Sequence, residues 1–567
     1  MKKTAGIFAG ILLICAFFTF SVFGAGSLDY AENAPGGEVS TVDELISAFG
    51  KDSFGNPNAT LLLNSENDIR LINSVILDAP IIIKDGEFTI VGGGCTIARG
   101  FNGGAVIIVD GSSGKSPILK LERPTQNDFA DNDEPNLIIN GNEKSFGRNS
   151  EAFIKVLGNA KLVSNNRVLY KDITTDGNGG AISAFPSISE ENYYFPTLEL
   201  NYNRFDNCKS GNGGAVYFEG YSNDKNEGVI DVNTCYFNKC VAADNGGALS
   251  ILGGKAEINA GEMVENTAEK GGAIYACAEI QISETKFTSN YAGVSGGAVY
   301  CAKEDSVSQV CKTMLLGIFA EKNRSAGNGG MITNDGICAG SNIYIDANSA
   351  AGNGGGVYNT ATFLYTEGSI LNNKCDCIGG GVYNHGSSAV FQMSGGEINA
   401  NTAIYAGGVY SEGYMKISGG AIGNNRGDSP EVMIKGEFIM SENAVVTNKD
   451  VIGLCGSEGA YPVIKLESVL TNKAIQKVAF YTESNGKYVL ANKAGMTVLS
   501  GEQEFVSKSA KLFDVSGSVL KNYSVTQTGN LQFRFPLMPL WAWILSIIAV
   551  SGLAAATVLF IRKRNRN

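Results

Sequence analysis

The side chains that could catalyse a reaction are few. The chain holds one histidine, His385, so a Ser-His-Asp triad has a single possible base and a histidine-rich metal site is excluded. His385 stands in Tyr-Asn-His-Gly at an expected strand end, where a turn histidine is the simpler interpretation. The acidic run 131–134 offers oxygen ligands for calcium, but a solvated acidic loop explains it better. We therefore expect no metal and no cofactor.

Aromatic residues form a second group that could take part in binding. Tyrosine directly follows an aliphatic residue in six copies of a repeated Gly-Gly-x-aliphatic motif: Tyr217, Tyr275, Tyr300, Tyr358, Tyr383 and Tyr410. If the aliphatic residue points inward, strand alternation points the tyrosine outward. An exposed ladder of rings can stack on sugars or hold a protein partner. The alternative is that the rings stack only on one another and stabilise a sheet.

Insertions between the repeats supply a third candidate surface. Three repeats, which open at Gly179, Gly213 and Gly296, carry about eight extra residues after the Gly-Gly strand. These insertions should emerge from one corner of the fold, and insertions on one face often form the binding face. The first contains the aromatic residues Tyr193, Tyr194 and Phe195. Surface loops also accept extra residues without gaining a function, and this explains the insertions equally well.

The cysteines allow one specific prediction. The chain has 12 cysteines, and 11 remain if a signal peptide containing Cys15 is removed. Cys208 and Cys240 occupy the same slot in successive repeats, so their Cα atoms should lie about 5 Å apart, within disulfide range. We expect a bridge or a stacked thiol pair at this position.

Self-similarity identifies the elements that must position these residues. The first glycine of each pair falls at Gly179, Gly213, Gly246, Gly271, Gly296, Gly329, Gly354 and Gly379, and a ninth copy follows at Ala406-Gly407-Gly408-Val409. The base spacing is 25 residues. A second apolar slot precedes most pairs, and an asparagine such as Asn266, Asn348 or Asn401 follows it by three residues.

This pattern predicts a parallel β-helix. Each repeat is too short to bury a face alone, whereas stacked coils bury a shared column of aliphatic side chains. Gly-Gly supplies a tight bend and a close backbone approach. Asparagine tolerates left-handed backbone and suits a repeated turn. Helical solenoids are excluded by so much glycine and β-branching.

The motifs also carry a family resemblance. Gly-Gly-Ala-Ile/Val with Phe-x-x-Asn resembles the polymorphic outer membrane protein repeat, and the segment 393–401, Met-Ser-Gly-Gly-Glu-Ile-Asn-Ala-Asn, resembles right-handed β-helix repeats of bacterial surface proteins. The match covers residues 173–425. It implies a right-handed, pectate-lyase-like fold and a role in adhesion or surface display. Family members in outer membranes end in a membrane domain of strands, whereas this chain ends in a predicted helix, which favours a single-membrane envelope.

Enzymes of the same fold are the main alternative. Polygalacturonase-like members carry Asn-Thr-Asp, Asp-Asp and Gly-His-Gly in successive coils, and none of these motifs occurs here. Carboxylates distant in the sequence can still converge, so a polysaccharide lyase or glycoside hydrolase stays open. A structural stalk without a ligand is the third reading. The expected function is a non-catalytic adhesin or display scaffold that binds an extracellular glycan or protein.

The two ends and the charge predict the location. Lys2 and Lys3 precede an apolar run, so residues 1–26 read as a signal peptide, and 536–561 read as a transmembrane helix followed by the basic tail 562–567. This orientation puts the body of the chain outside the cell membrane and the C-terminus in the cytoplasm. The ectodomain has 38 basic and 56 acidic residues, a net charge of −18, which argues against nucleic acid as a partner.

The remaining segments frame the solenoid. We expect an N-terminal cap region over 27–60, a β-helix over 61–448 with regular repeats over 173–425, and a C-terminal cap and β region over 449–535. Thr41-Val-Asp-Glu44 predicts a capping box before a short helix that covers the open end. Residues 124–135 are polar and read as a loop.

Overall fold

The structure is a computed structural model. It describes residues 32–62, 66–122, 135–189, 192–221, 227–303, 311–428, 430–447, 450–457, 460–484, 487–491, 496–515, 523–525 and 530–533. The predicted signal peptide, the loop 124–134, the C-terminal helix and the basic tail lie outside these ranges. No helix among the described residues combines the length and apolarity needed to cross a membrane.

Strands cover 55% of the residues that the structure describes and helices 5%, so the described part of the protein is all-β. The strands form long parallel sheets, which we name A to D in the order in which a coil visits them. Sheet A follows the Gly-Gly bends: Gly37–Val39, Ile81–Ile83, Ile107–Gly111, Ile154–Gly158, Ile182–Phe185, Val216–Glu219, the first part of Leu249–Asn259 and of Ile274–Ser283, Val299–Cys301, Ile332–Asn334, Val357–Asn359, Val382–Asn384, Val409–Ser411, Val432–Ile434, Val451–Gly456, Gln476–Ser484 and Phe513–Val515. Sheet B follows a corner: Asp68–Leu71, Glu87–Val91, Ile118–Glu122, Lys161–Asn165, Thr197–Asn201, Val229–Asn233, the second part of Leu249–Asn259 and of Ile274–Ser283, Lys312–Leu316, Ile337–Ser341, Thr362–Tyr365, Val390–Met393, Tyr414–Ile417, Phe438–Met440, Ile464–Leu466 and Thr497–Gly501.

Two further sheets complete each coil. Sheet C comprises Glu32–Ala34, Val75–Leu77, Cys95–Arg99, Leu137–Asn140, Val168–Lys171, Arg204–Asp206, Tyr236–Asn238, Glu262–Val264, Lys286–Thr288, Phe319–Glu321, Ile343–Asp346, Gly368–Leu371, Glu397–Asn399, Ala421–Gly423 and Val445–Val446. Sheet D comprises Lys209–Ser210, Val241–Ala242, Thr267–Lys270, Tyr291–Ser295, Arg324–Ser325, Ser349–Ala350, Lys374–Cys375, Thr402–Tyr405 and Arg426–Asp428. Short antiparallel pairings join Ala59–Leu61 to Asp68–Leu71, Ser187–Ser189 to Asn192–Tyr194, Lys487–Leu490 to Gln476–Ser484, and Leu531–Phe533 to both Thr497–Gly501 and Tyr523–Val525.

The register of these sheets confirms the coil predicted from the repeat. Corresponding repeat positions pair directly, as in Val357 with Val382 and Val382 with Val409. The aliphatic slot is buried in every repeat and contributes to one continuous core. The second apolar slot lines the core side of sheet C, and its first residues form a short aromatic column in which the rings of Phe205 and Phe237 stack with centroids 4.7 Å apart. The chain therefore forms an all-β parallel solenoid.

The Gly-Gly pairs bend the chain and also let neighbouring coils approach. The first glycine of each pair is left-handed, for example Gly329 with φ of 65°. A Cβ on the second glycine, Gly330, would lie 2.0 Å from the carbonyl oxygen of Gly355 in the next coil. No side chain fits at such a contact. The second glycine is therefore required by the stacking of neighbouring coils, and the first by the bend.

The asparagine slot works differently from the sequence-based expectation. The left-handed residue of this turn is the one before the asparagine, such as Ala347 with φ of 55°. The asparagine side chains turn inward and form a buried ladder: Asn266, Asn290, Asn323, Asn348, Asn373, Asn401 and Asn425, which ends on Asp450. Each side-chain oxygen accepts hydrogen bonds from the residue of the preceding coil. The asparagines of this slot therefore provide hydrogen-bond partners for buried backbone groups, and the preceding residue takes the left-handed conformation.

Both ends of the solenoid extend further than expected. Sheet A pairs in parallel from Gly37–Val39 to Phe513–Val515, beyond the predicted limits of 61 and 448. At the N-terminal end the helix Val42–Ala48 begins with the predicted capping box of Thr41 and Glu44, and it buries Leu45. The sequence did not indicate the other helices, Glu143–Phe146, Gln503–Ser509 and the 3₁₀ helix Ala510–Leu512.

Candidate functional site

The tyrosine column lies on the outer side of sheet A but is not the exposed ladder that strand alternation suggests. Four of its rings are buried, with exposures of 6% for Tyr217, 9% for Tyr300, 6% for Tyr383 and 1% for Tyr410. Tyr275 and Tyr358, the other two, are half-buried. Alternation decides the side of a strand on which a residue lies, but neighbouring rings and cover from later segments decide its exposure. The expectation of an exposed ladder is therefore wrong for most of its length.

The rings contact one another in two short groups. Tyr275 and Tyr300 stack with centroids 5.4 Å apart, and Tyr383 makes edge contacts with Tyr358 at 5.4 Å and with Tyr410 at 4.9 Å. Serine and threonine at the equivalent positions of other coils interrupt the column. The contacts favour the stabilising interpretation, because the ring faces are used within the protein.

The single histidine belongs to the second of these groups. His385 Nδ1 lies 2.8 Å from Glu412 Oε2 and 3.0 Å from the Tyr383 hydroxyl. The backbone N–H of Gly386 donates to the same carboxylate oxygen at 3.0 Å. Although burial opposes ionisation of Glu412, the Gly386 hydrogen bond and His385 together hold its pKa below the usual range. The arrangement ties neighbouring coils together, and the groups that His385 contacts here are a carboxylate and a tyrosine hydroxyl rather than a serine.

All three insertions join a strand of sheet A to the following strand of sheet B, which is the corner that their spacing predicts, although residues 222–226 and 304–310 of the second and third lie outside the described ranges. The first includes the hairpin of Ser187–Ser189 and Asn192–Tyr194, which projects Ile188 at 65% exposure. Tyr193 is 48% exposed, Tyr194 is half-buried and Phe195 is buried. Only Tyr193 of the three predicted aromatic residues is therefore presented openly to a partner.

A row of carboxylates crosses sheet B. Glu199, Asp231 and Glu257 are direct neighbours in three successive coils. Lys161 pairs with Glu199 at 2.5 Å, and Lys255 pairs with Glu257 at 3.2 Å. Burial, with Glu257 and Glu199 adding to it, raises the pKa of Asp231 above its ordinary value. The row brings together acidic groups that lie far apart in the sequence.

An open groove of about 620 Å³ lies along the outer side of sheet C. Four outward side chains from consecutive coils line it: Arg204, Tyr236, Glu262 and Lys286. Its other lining residues are Thr234, Cys235 and Ala260. Thr234 and Ala260 are left-handed turn residues with small side chains, so a hollow remains beside the larger outward residues. Its volume falls within the range of ligand pockets.

Cations, an aromatic ring and a carboxylate alternate along the groove. The Arg204 guanidinium lies over the Tyr236 ring, 5.2 Å from its centroid, and its Nε donates to Asp206 at 2.6 Å. Lys286 pairs with Glu262 at 2.9 Å. The exposed pair of Lys286 and Glu262 contributes little to stability. These side chains offer hydrogen-bond donors and acceptors to a ligand beside an apolar ring.

The groove continues into an aromatic pair. Phe319 follows Lys286 in register, and Tyr344 follows Phe319. Their rings stack with centroids 4.6 Å apart, and Phe319 is 52% exposed. With coils about 4.8 Å apart, the stripe from Arg204 to Tyr344 spans about 24 Å. The position directly before the second apolar slot carries all of these residues and is the sequence signal that could have identified them.

Cys208 and Cys240 lie in successive coils, where the sequence places them. Both are fully buried, and each thiol donates to a backbone carbonyl oxygen, Cys208 to that of Tyr170 at 3.9 Å and Cys240 to that of Phe205 at 3.5 Å. Burial, and then the contact with Cys240, raises the pKa of the Cys208 thiol well above its ordinary value. A bridge or a stacked thiol pair at this position stays a prediction.

No group of three or more potential metal ligands is found in the part of the chain that the structure describes. Comparison of the chain with protein-family models gives no match, and comparison with curated proteins and with solved structures gives none. The candidate site therefore rests on the geometry of the chain itself.

Proposed function

We propose that this protein is a single-pass cell-surface protein whose right-handed, pectate-lyase-like β-helix binds an extracellular glycan without cleaving it. The apolar ends of the sequence and its resemblance to polymorphic outer membrane protein repeats support export and display. The observation that carries the binding role is the groove on sheet C, where residues from four consecutive coils face one hollow.

The side chains of the groove suit a hydroxyl-rich, chain-like ligand. Arginine, lysine and tyrosine donate hydrogen bonds, the Glu262 carboxylate accepts them, and the Tyr236 ring supplies an apolar surface. The cations are balanced by Glu262 and Asp206, so the groove does not demand a strongly charged partner. The exposed pair of Phe319 and Tyr344 extends the same surface along the solenoid axis, in the direction a polymer would follow.

The test is glycan-array binding of the purified chain with two matched double variants. Arg204→Ala/Tyr236→Ala removes the groove side chains. Arg324→Ala/Tyr291→Ala removes an arginine and a tyrosine that are paired in the same way on sheet D. Arginine and tyrosine are typical binding hot spots, so the groove variant should weaken binding about tenfold or more while the control variant binds like the wild type.

The array separates the alternatives. Equal binding by the groove variant and the wild type would place the ligand elsewhere. A wild-type chain that binds no glycan would favour a protein partner or a stalk without a ligand.

A second candidate function is hydrolysis of a polysaccharide, and the carboxylate row on sheet B is the observation that favours it. The backbones of Asp231, Glu199 and Glu257 lie in neighbouring strands about 4.8 Å apart, which is compatible with the roughly 5–5.5 Å between paired carboxyl groups in retaining glycosidases. The raised pKa of Asp231 suits a proton donor. However, each flanking glutamate is engaged by a lysine, so a catalytic pair would have to break one ion pair. Binding is therefore the preferred function.

A further inference from the structure

A second pair of thiols lies outside the slot that the repeat singles out. Cys277 Sγ and Cys311 Sγ lie 2.9 Å apart. A disulfide bond is about 2.05 Å long, so closing this pair needs a movement of less than about 1 Å. The spacing of the repeats gives no hint of this contact, because Cys311 follows an insertion.

The backbone brings the two cysteines to diagonal positions on neighbouring coils. Cys277 lies in the strand Ile274–Ser283, and Cys311 directly precedes the strand Lys312–Leu316. These strands are parallel neighbours in which Glu279 pairs with Lys312. Neighbouring strands are about 4.8 Å apart, and bridged cysteines have Cα atoms 4.4–6.8 Å apart as a rule.

The pair also differs from the other thiols in its surroundings. Cys277 and Cys311 belong to a small cluster with Tyr300 and Ala302 on the outer side of sheet A, apart from the main core. Cys208 and Cys240 belong to the main core, which fills the solenoid. Cys277 and Cys311 are 6% and 5% exposed, whereas Cys208 and Cys240 are completely buried, so a donor disulfide reaches the outer pair more readily.

We propose that Cys277 and Cys311 form a disulfide bond by exchange with a small-molecule or protein donor disulfide as the chain folds outside the cell. Both thiols lose their protons, the new S–S bond forms, and the donor disulfide accepts two electrons and two protons and leaves as two thiols. The bond links one coil to the next across 34 residues and fixes the start of a sheet B strand after the third insertion. This inference rests on the export in the proposed function and is independent of the glycan ligand.

The test is mass mapping of the full chain after alkylation under denaturing conditions without reductant. Protein recovered from its native host and protein refolded with oxidised glutathione are compared. In both samples we expect a linked peptide pair containing Cys277 and Cys311, two fewer alkylated thiols per chain than after reduction, and full alkylation of Cys208 and Cys240. Cys277→Ser should restore alkylation of Cys311, whereas the matched variant Cys208→Ser should leave the linked pair in place.

Other outcomes would overturn the inference in distinguishable ways. Full alkylation of Cys277 and Cys311 after refolding with oxidised glutathione would show that the pair does not bridge. A link between Cys208 and Cys240 instead would assign the bridge to the core pair. A bridge that forms with glutathione but is missing from the native protein would contradict oxidation outside the cell, and hence the export on which the inference rests.

Discussion

The buried asparagine ladder should be a main source of local stability, and Asn348→Ala tests this directly. The Asn348 side chain donates to the Ala320 carbonyl and to Asn373 Oδ1, both at 3.0 Å. Its oxygen accepts from the backbone and side-chain N–H groups of Asn323, both at 2.9 Å. Alanine removes these four bonds and leaves the Asn323 N–H groups buried without their acceptor. At about 1 kcal/mol for each bond, the local loss is about 4 kcal/mol.

Hydrogen exchange measures this loss where it occurs. Solenoids open locally, so a single unfolding midpoint would average the effect over all coils. A local loss of about 4 kcal/mol should speed exchange of the Asn323 amide about a thousandfold. The matched control is Asn399→Ala, because the Asn399 side chain makes only long, exposed hydrogen bonds of 3.4 and 3.3 Å. Exchange at Asn323 that changes less than about tenfold, or an equal local effect in the control at its own coil, would refute the role of the ladder.

Three further predictions concern the aromatic side chains inside sheet C, the close contact at Gly330 and the carboxylate of Glu412. Phe237→Ala should destabilise its coil by about 3–5 kcal/mol because it empties the stacked aromatic column, whereas Phe319→Ala on the outer side should cost less than about 1 kcal/mol in urea unfolding. Gly330→Ala should lower the thermal midpoint or prevent folding, since its Cβ would meet a carbonyl oxygen at 2.0 Å; a midpoint like that of the wild type would contradict the close approach. Glu412 has a lowered pKa in the folded chain, so its stabilising contribution is present above the ordinary pKa of 4.5 and is lost as pH falls through the lower folded value. Glu412→Gln should therefore make the free energy of unfolding depend less on pH below 4.5, and an unchanged pH dependence would exclude this contribution.

The solenoid could be predicted because its repeat constrains each coil in the same way. An aliphatic residue after each Gly-Gly pair must point inward, and the fixed spacing then sets the register of sheet A. The inward role of the asparagines was missed, since the same residue type suits both a left-handed turn and a buried hydrogen-bond ladder. Only the φ angle of the preceding residue, such as Ala347, separates the two possibilities.

The candidate site was harder to predict for two physical reasons. Exposure of Tyr410 depends on segments far along the chain, because its hydroxyl lies 3.1 Å from that of Tyr488. The groove on sheet C depends on small residues in turns, such as Ala260, next to large outward side chains. The position before the second apolar slot marks the large outward residues, but it does not show that the small turn residues leave a hollow beside them. The repeat spacing also cannot predict contacts of residues that follow an insertion, such as the contact between Cys277 and Cys311.

The central claim is that the β-helix binds a glycan without cleaving it. The most direct measurement is to incubate the chain with each glycan that it binds on the array and to analyse the glycan for shortened products and new reducing ends. The account predicts that the glycan is recovered intact and that binding depends on Arg204 and Tyr236. Shortened products that disappear with Asp231→Asn would contradict the account and assign catalysis to the carboxylate row on sheet B.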